Sequence, residues 1–158
     1  MKWLWLSAAV VALDQATKYL VARNFELHEA VEILPFFSLV LVHNTGAAFS
    51  MLHDAGGWQR WGLSALAGAV SIAIMVWLPR LRASSWRLPL ALALILGGTL
   101  GNLCDRLALG YVIDFLDFYI GARHWPAFNV ADSAITVGAL LLILDTLRRE
   151  PANAAERS

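Results

Sequence analysis

Residues 61–78 form a run of 18 side chains without a charge, in a chain of only 158 residues. A segment of this length and character is long enough for a helix that crosses the hydrocarbon core of a bilayer. The composition agrees: 59% of the residues are hydrophobic and 15% are charged, against about 45–50% and about 25% in ordinary soluble domains. A soluble fold of this size lacks the interior to bury so much apolar surface. The chain is therefore predicted to be a small polytopic membrane protein.

Three further apolar blocks bring the predicted number of transmembrane helices to four. Charged residues interrupt the first and last blocks, and each acid at a helix centre costs about 2.5–3.5 kcal/mol in lipid. The predicted fold class is mainly α, with a single membrane domain covering residues 1–158. Its predicted spans are 3–22, 58–78, 88–108 and 130–148, followed by a disordered tail at 151–158.

The first block has a second interpretation as a cleaved signal peptide, because Lys2 precedes an apolar stretch with small residues around Ser7. An uncleaved helix is favoured, since the apolar character resumes after Lys18. Asp14 and Lys18 also stand four residues apart on one helical face, in the favourable acid-first order.

The basic residues predict the orientation of the four spans. Lysine and arginine concentrate in cytoplasmic loops, and tryptophan is enriched at both membrane surfaces. With both termini in the cytoplasm, seven basic residues lie inside (Lys2, Arg80, Arg82, Arg87, Arg148, Arg149 and Arg157) and three outside (Arg23, Arg60 and Arg123). The connections after the first and third spans are then on the outer face.

The outer segment at residues 23–57 is too long for a simple connection. Residues 31–42 are rich in Val, Ile, Leu and Phe, and Pro35 interrupts them, which is typical of short edge strands. Asn44-Thr45-Gly46 indicates a turn. Residues 47–52 are predicted to form a short amphipathic helix at the membrane interface.

Net charge and cysteine content exclude several classes of protein. A formal net charge of +0 leaves no basic surface for nucleic acid. The single cysteine, Cys104, cannot form an internal disulfide or a cysteine-based zinc site. The four histidines fall in outer loops without a nucleophile motif or metal-ligand spacing. Neither a cofactor nor a metal is expected.

Ionisable residues inside the apolar blocks are costly in lipid and are therefore candidates for function. The alternative is that they only hold helices in register, as ion pairs or hydrogen bonds. This alternative is the stronger one for Asp14 with Lys18, and also for Asn102, Asp105 and Arg106, which share one helical face.

Two further features of these blocks concern packing and solvation. Gly97 and Gly101 have the small-xxx-small spacing that lets a neighbouring backbone come close. Asp145, near the cytoplasmic end of the last block, is expected to be solvated.

Asp114 and Asp132 differ from the other acids. Asp114 follows the third span and Asp132 opens the fourth, so an antiparallel helix pair brings both to the outer side. Two close carboxyls cannot both ionise cheaply and share a proton instead, an arrangement that can activate water. The alternative is that both acids are solvated caps at helix ends.

Five motifs lie in sequence along nearly the whole chain. They are Asp14-Gln15-Ala16-Thr17-Lys18, Asn44-Thr45-Gly46-Ala47-Ala48-Phe49-Ser50, Gly97-Gly98-Thr99-Leu100-Gly101-Asn102-Leu103-Cys104-Asp105-Arg106, Val112-Ile113-Asp114-Phe115 and Phe128-Asn129-Val130-Ala131-Asp132-Ser133. In this order they resemble the lipoprotein signal peptidase (signal peptidase II) family of bacterial membrane aspartic endopeptidases. Each motif alone is weak, but the combination is specific, and Cys104 stands where the family pattern is loose.

The resemblance implies four transmembrane helices, an outer β-cradle with an interfacial helix, and roles for ten residues of the motifs. The implied catalytic pair is Asp114 and Asp132. The implied substrate-binding or supporting residues are Asn44, Gly46, Asn102, Arg106 and Asn129, and the implied structural polar residues are Asp14, Lys18 and Asp105.

The resemblance also implies the substrate, a diacylglyceryl-modified prolipoprotein cut before its lipidated cysteine, and inhibition by the cyclic peptide globomycin. Membrane lipid is the other expected partner, and the chain is expected to be a monomer in the bacterial plasma (inner) membrane. The predicted topology is multi-pass, with both termini cytoplasmic and the active site near the outer face.

Asp132 is hypothesised to be the more acidic of the pair, because the dipole at a helix N-terminus favours an anion by roughly 0.3–1 kcal/mol. Asp114 then holds the shared proton. Rival functions are a transporter, which predicts relay acids through the whole bilayer depth, and a scaffold whose polar residues only join helices. A presenilin-like protease requires a Gly-x-Gly-Asp element, which the sequence lacks.

Overall fold

The structure is a computed structural model that describes residues 2–46, 57–81 and 86–155. Its long helices are α1 (Lys2–Asn24), α2 (Trp58–Trp77), α3 (Arg87–Ala108) and α4 (Val130–Ala155), and a 3-10 turn at Leu78–Arg80 follows α2. Its strands are β1 (Ala30–Leu34), β2 (Phe37–Asn44), β3 (Val112–Ile120) and β4 (Arg123–His124). The prediction of a mainly helical fold with a small sheet is therefore confirmed.

Helix α3 lies at the centre of the bundle, and α1, α2 and α4 all pack against it. A Cβ on Gly97 would lie 2.7 Å from Val10 Cβ and 2.9 Å from the Ser7 carbonyl oxygen of α1. A Cβ on Gly101 would lie 3.3 Å from Ala131 Cβ of α4. The predicted role of the two glycines in close helix packing is confirmed.

Three helical segments in the described part of the chain are long and apolar enough to cross a membrane, namely Trp58–Arg80, Arg87–Ala108 and Val130–Leu147. Large apolar side chains on α2 and α4 face outward, among them Leu66, Ile72, Leu140 and Ile143. Helix α1 carries Lys2, Asp14, Lys18 and Arg23 and is not among these segments. Three of the four predicted spans therefore have the required length and hydropathy.

The strands form one antiparallel sheet in the order β1-β2-β3-β4. The turn at Pro35 separates β1 from β2, within the region predicted to form edge strands. Strand β2 pairs with β3, so that Asn44 lies opposite Val112 and Val42 opposite Asp114. The sheet thereby places the end of β2 beside an acid that lies 70 residues further along the chain.

Asp145 and the C-terminal residues depart from the predictions. Asp145 is 6% exposed rather than solvated. It lies two helical turns after Gly138, on the face of α4 that packs closely against Ala91 of α3. Helix α4 continues to Ala155, whereas disorder is predicted from residue 151; alanine is the strongest helix former, and three alanines lie at 152–155. The predicted interfacial helix at 47–52 and the last three residues lie outside the described residues.

Candidate active site

Asp114 and Asp132 line one cavity of about 470 Å³. Asp114 is the third residue of β3 and is 2% exposed, while Asp132 is partly exposed in the first turn of α4. The cavity lies between α3, α4, β3 and the segment that leads into α4. The other lining residues are Asn44, Asn102, Arg106, Val112, Trp125, Pro126, Ala127, Phe128, Ser133, Ile135, Thr136 and Val137. The two acids thus come together, with three of the predicted supporting residues beside them.

Asn129 is fully buried and links the two acids. Its Nδ2 donates to Asp114 Oδ1 at 2.7 Å, and its Oδ1 accepts the backbone N–H of Asp132 at 2.9 Å. The Asp132 carboxylate in turn accepts the backbone N–H of Asn129 at 3.3 Å. This reciprocal pair is a capping box, so Asn129 is the N-cap of α4 as well as a hydrogen-bond partner of Asp114.

Asn44 contacts the other oxygen of Asp114. The β2–β3 pairing brings its Nδ2 to 2.9 Å from Asp114 Oδ2. The backbone N–H of Gly46 donates to Asn44 Oδ1 at 3.0 Å, across the turn predicted at this point. The Asp114 carboxyl therefore receives one side-chain amide on each oxygen.

Lys18 lies behind the cavity and is 2% exposed. Its ammonium contacts Asp14 Oδ2 at 2.8 Å, Asp105 Oδ2 at 2.9 Å and Asn102 Oδ1 at 2.9 Å. Asn102 Nδ2 then donates to Asp132 Oδ1 at 2.7 Å. The predicted Asp14–Lys18 ion pair is confirmed, and it continues through Asn102 to the candidate catalytic acid.

Asp14 also joins α1 to α4. Its Oδ1 accepts the backbone N–H of Ala131 at 2.9 Å, in the first turn of α4, where backbone N–H groups lack partners within the helix. A carboxylate at this position is also favoured by the helix dipole. The acid of the first motif therefore caps the helix that carries Asp132.

Arg106 lines the cavity and does not pair with Asp105, whose carboxylate binds Lys18. Its Nη2 lies 3.4 Å from the Gly46 carbonyl oxygen and its Nη1 3.5 Å from that of Asn102. The guanidinium instead sits between α3 and the turn after β2, beside both acids of the cavity.

Burial and, second to it, the negative charge of Asp132 raise the pKa of Asp114 to about 7. The amides of Asn44 and Asn129 and the charge of Lys18 act in the opposite direction. A carboxyl that titrates near neutrality can hold a proton in the resting site and give it up during a reaction. Within residues 2–46, 57–81 and 86–155, no three His, Cys, Asp or Glu side chains cluster as a metal site requires.

Sequence reasoning missed Gln15 and strand β3. Gln15 Nε2 donates to Asp105 Oδ1 at 2.8 Å and to the Gly101 carbonyl oxygen at 3.2 Å. Its position between Asp14 and Lys18 on the buried face of α1 is the signal that could have identified it. Strand β3 follows α3 after only three residues, so its apolar run merges with the helix in the sequence.

Comparison with known proteins agrees with this geometry. The sequence profile described as signal peptidase (SPase) II matches residues 6–148. The chain belongs to the signal peptidase II family. Its members are membrane aspartic peptidases, so the resemblance found in the five motifs and the prediction of an aspartic endopeptidase are confirmed.

Relatives and solved structures extend this result over most of the chain. A lipoprotein signal peptidase of Alteromonas mediterranea is 54% identical over 148 residues, which cover 94% of this chain and 81% of that protein. A lipoprotein signal peptidase of Shewanella amazonensis is 51% identical over 148 residues, which cover 94% of this chain and 88% of that protein. Two structures described as bacterial membrane enzymes are each 30% identical to this chain. One has a TM-score of 0.83 and covers 93% of this chain and 88% of its own; the other has 0.79 and covers 92% of each.

Proposed function

We propose that this protein removes the signal peptide from diacylglyceryl-modified prolipoproteins by cutting the bond before the lipidated cysteine. The observation that carries the proposal is the convergence of Asp114 and Asp132 on one cavity, beside helices of membrane length. The family and the name shared by its relatives, lipoprotein signal peptidase, support the substrate class.

The shape of the cavity suits a substrate that is held in a bilayer. A lipidated peptide cannot leave the membrane, so its peptidase needs acids where acyl chains stay in lipid and water still reaches the peptide bond. The wall of the cavity begins at Asp132 and continues along α4 through Ile135 to Val137. Val137 is 49% exposed on the apolar face of α4, which gives an acyl chain or a signal-peptide helix a lateral approach from lipid.

In the proposed reaction the two acids share one proton. The Asp132 carboxylate takes a proton from water as the water oxygen attacks the scissile carbonyl carbon. Protonated Asp114 donates a hydrogen bond to the carbonyl oxygen, and Asp132 passes the proton that it took from water to the leaving amine nitrogen when the C–N bond breaks. The pKa of Asp114 near 7 supports its role as the proton holder, although the pair titrates as a unit.

The supporting residues have proposed roles in the same reaction. Asn44, Asn102 and Asn129 hold the two carboxyls in place through the amide contacts described above. Arg106 lines the cavity, and its guanidinium is suited to bind a substrate carbonyl or a lipid ester oxygen. Gly46 fixes the orientation of Asn44.

Helix α1 is proposed as the fourth span, with both termini cytoplasmic in the inner membrane and the active site at the outer face. Its 23 residues rise about 34 Å, enough to cross the hydrocarbon core. Asp14 and Lys18 are buried and paired, so they are not presented to lipid, whereas Trp5, Leu13 and Leu20 are exposed. A monomer is proposed, because both acids and all three amides come from one chain.

Cleavage of a diacylglyceryl prolipoprotein by the purified protein in lipid nanodiscs tests this function. Mass spectrometry should find a mature product that begins with the lipidated cysteine, and globomycin should abolish it. The matched control is the same prolipoprotein without its lipid, which should remain uncut. Equal cleavage of both forms, or cleavage at another bond, would contradict the proposed specificity.

A further inference from the structure

The three asparagines of the site share one arrangement. Each side-chain oxygen faces a group that can only donate, and each side-chain nitrogen faces a catalytic carboxylate. Asn44 lies between the Gly46 N–H and the Asp114 carboxylate. Asn129 lies between the Asp132 N–H and the Asp114 carboxylate. Asn102 lies between the Lys18 ammonium and the Asp132 carboxylate.

This arrangement determines which way each carboxamide points. A carboxamide carries an acceptor on one arm and a donor on the other, and either arm can occupy the same space. A neighbour that only donates selects the oxygen arm, which leaves the NH₂ arm toward the carboxylate. For Asn44 and Asn129 the selecting donor is backbone, but for Asn102 it is a side chain on another helix.

Lys18 is well suited to fix Asn102. An ammonium has three protons and no acceptor, and Lys18 directs them at Asp14, Asp105 and Asn102 at 2.8–2.9 Å. Asn129 Nδ2 also approaches Asn102 Oδ1, but at 3.2 Å. The two protons on Asn129 Nδ2 are divided among three acceptors, namely Asn102 Oδ1, the Ile113 carbonyl oxygen and Asp114 Oδ1. The nearest of these is Asp114 Oδ1, at 2.7 Å. The ammonium is therefore the stronger determinant of the Asn102 orientation.

We propose that Lys18 is a positioning residue for the aspartate pair: it holds the Asn102 carboxamide with its nitrogen toward Asp132, and so keeps a donor on the carboxylate that takes the proton from water. This inference rests on the proposed function of the pair. A reversed Asn102 would turn an oxygen toward Asp132, and that carboxylate would then hold a proton more tightly. Lys18 thus acts on the reaction through Asn102 and not by touching the substrate.

The charges around Asp132 must be controlled in any test. Lys18 and Asp14 face it from α1, Arg106 from α3 and Asp114 from β3, while Asp105 of α3 binds Lys18. Replacing Lys18 alone would leave Asp14 and Asp105 as buried, unpaired carboxylates. The double variant Lys18→Met with Asp105→Asn removes the ammonium and keeps the formal charge of the Asp14, Lys18 and Asp105 cluster at −1.

The pH dependence of kcat for lipidated prolipoprotein separates positioning from a purely structural role. In K18M/D105N the acidic limb should move up by about one pH unit, because the ionised form of the pair loses a donor, while KM stays within about twofold. The matched control D105N keeps Lys18 and loses one negative charge, so its acidic limb should stay in place or move down. An acidic limb in K18M/D105N that coincides with that of D105N would overturn the inference.

Failure of the inference and failure of the proposed function are distinguishable. If the wild-type protein and D105N do not cut the lipidated substrate, the proposed function fails. If both cut it and the limb does not move, only the role of Lys18 fails. Should K18M/D105N not fold, neutron diffraction from the wild-type protein tests the inference instead. Deuterium is expected on the arm of the Asn102 carboxamide that faces Asp132. Deuterium on the arm that faces Lys18 would contradict the inference.

Discussion

The pKa of Asp114 is determined by opposing effects of burial, nearby charges and hydrogen-bond donors. Burial and the charge of Asp132 raise its pKa to about 7, while two amides and the charge of Lys18 oppose them. Without those donors a carboxyl that is 2% exposed would be neutral over a still wider pH range. The polar groups around Asp114 therefore keep its titration near neutral pH, where proton transfer at a catalytic acid is efficient.

The raised pKa of Asp114 predicts the alkaline limb of activity. The reaction needs one proton on the pair, and that proton is lost as the pH rises through about 7. We expect kcat to fall by about tenfold per pH unit well above this value. A pH series with lipidated substrate measures this limb, and constant kcat from pH 6 to pH 9 would contradict the assignment.

The same shift predicts a dependence of stability on pH. A carboxyl with a folded-state pKa above its unfolded value binds more protons when folded, so stability is lost as the pH rises through the folded-state pKa. Asp114→Asn removes this loss. Relative to the wild type, its free energy of unfolding should improve by about 2 to 3 kcal/mol between pH 5 and pH 8. Thermal unfolding in detergent at both pH values checks this, and the opposite sign would refute the shift.

For single residues, the sequence indicates the two acids of the cavity but not the side chains that contact them. Asp114 and Asp132 stand out because each lies at the predicted outer end of a span, with no basic residue within four positions in the sequence. The contact of Gln15 with Asp105 and the link from Lys18 through Asn102 to Asp132 join residues up to 90 positions apart in single contacts. Such contacts depend on how α1 packs against α3, which local patterns do not specify.

The contact between α1 and α3 depends on the absence of a side chain at Gly97. The helices approach there until a methyl group would lie 2.7 Å from Val10 Cβ. The α1 motif that caps α4 and binds Asn102 lies on the same interface, one to three turns further along. The position of the Asp132 carboxyl therefore depends on this packing.

Gly97→Ala is expected to destabilise the protein, because the two helices must move apart to admit the new methyl group. Overpacking of this kind typically costs about 1–3 kcal/mol. Gly68→Ala in α2 is the matched control, since nothing lies within 4 Å of its Cβ position, and it should be neutral or slightly stabilising. Unfolding temperatures of both variants test the difference. Equal temperatures for the two would contradict the close packing at Gly97.

Helices α2, α3 and α4 are predictable from the sequence because each contains an apolar block of membrane length. Strands β1 and β2 are predictable from β-branched residues interrupted by Pro35. Strand β3 is not, since its apolar residues continue the pattern of α3 and its identity depends on pairing with β2. The burial of Asp145 likewise depends on which face of α4 meets α3.

The length of the molecule along α2 matches the thickness of the hydrocarbon core of a bilayer. Helix α2 begins at Trp58 and ends at Trp77, both exposed, and its 20 residues rise about 30 Å. Tryptophans at both ends match the two interfaces of a membrane. With the proposed orientation, the sheet and the aspartate pair lie at the outer end of the bundle.

Labelling of single cysteines tests this orientation. In a Cys104→Ser background, Ala122→Cys lies in the β3–β4 turn and Arg80→Cys at the end of the 3-10 turn after α2. A membrane-impermeant maleimide applied to intact spheroplasts should label residue 122 and leave residue 80 unlabelled until the membrane is permeabilised. The reverse pattern would show that the site faces the cytoplasm.

The most direct test of the central claim is the turnover of three single variants, Asp114→Asn, Asp132→Asn and Asp117→Asn, with lipidated prolipoprotein in nanodiscs. Asp117 lies on the same strand as Asp114 but pairs with His124, away from the cavity, and serves as the control. Both cavity variants should remain folded and lose at least about 10³-fold in kcat, because one removes the base that takes a proton from water and the other the acid that polarises the scissile carbonyl. Asp117→Asn should stay within about threefold of the wild type. Wild-type turnover by either cavity variant would contradict catalysis by the aspartate pair.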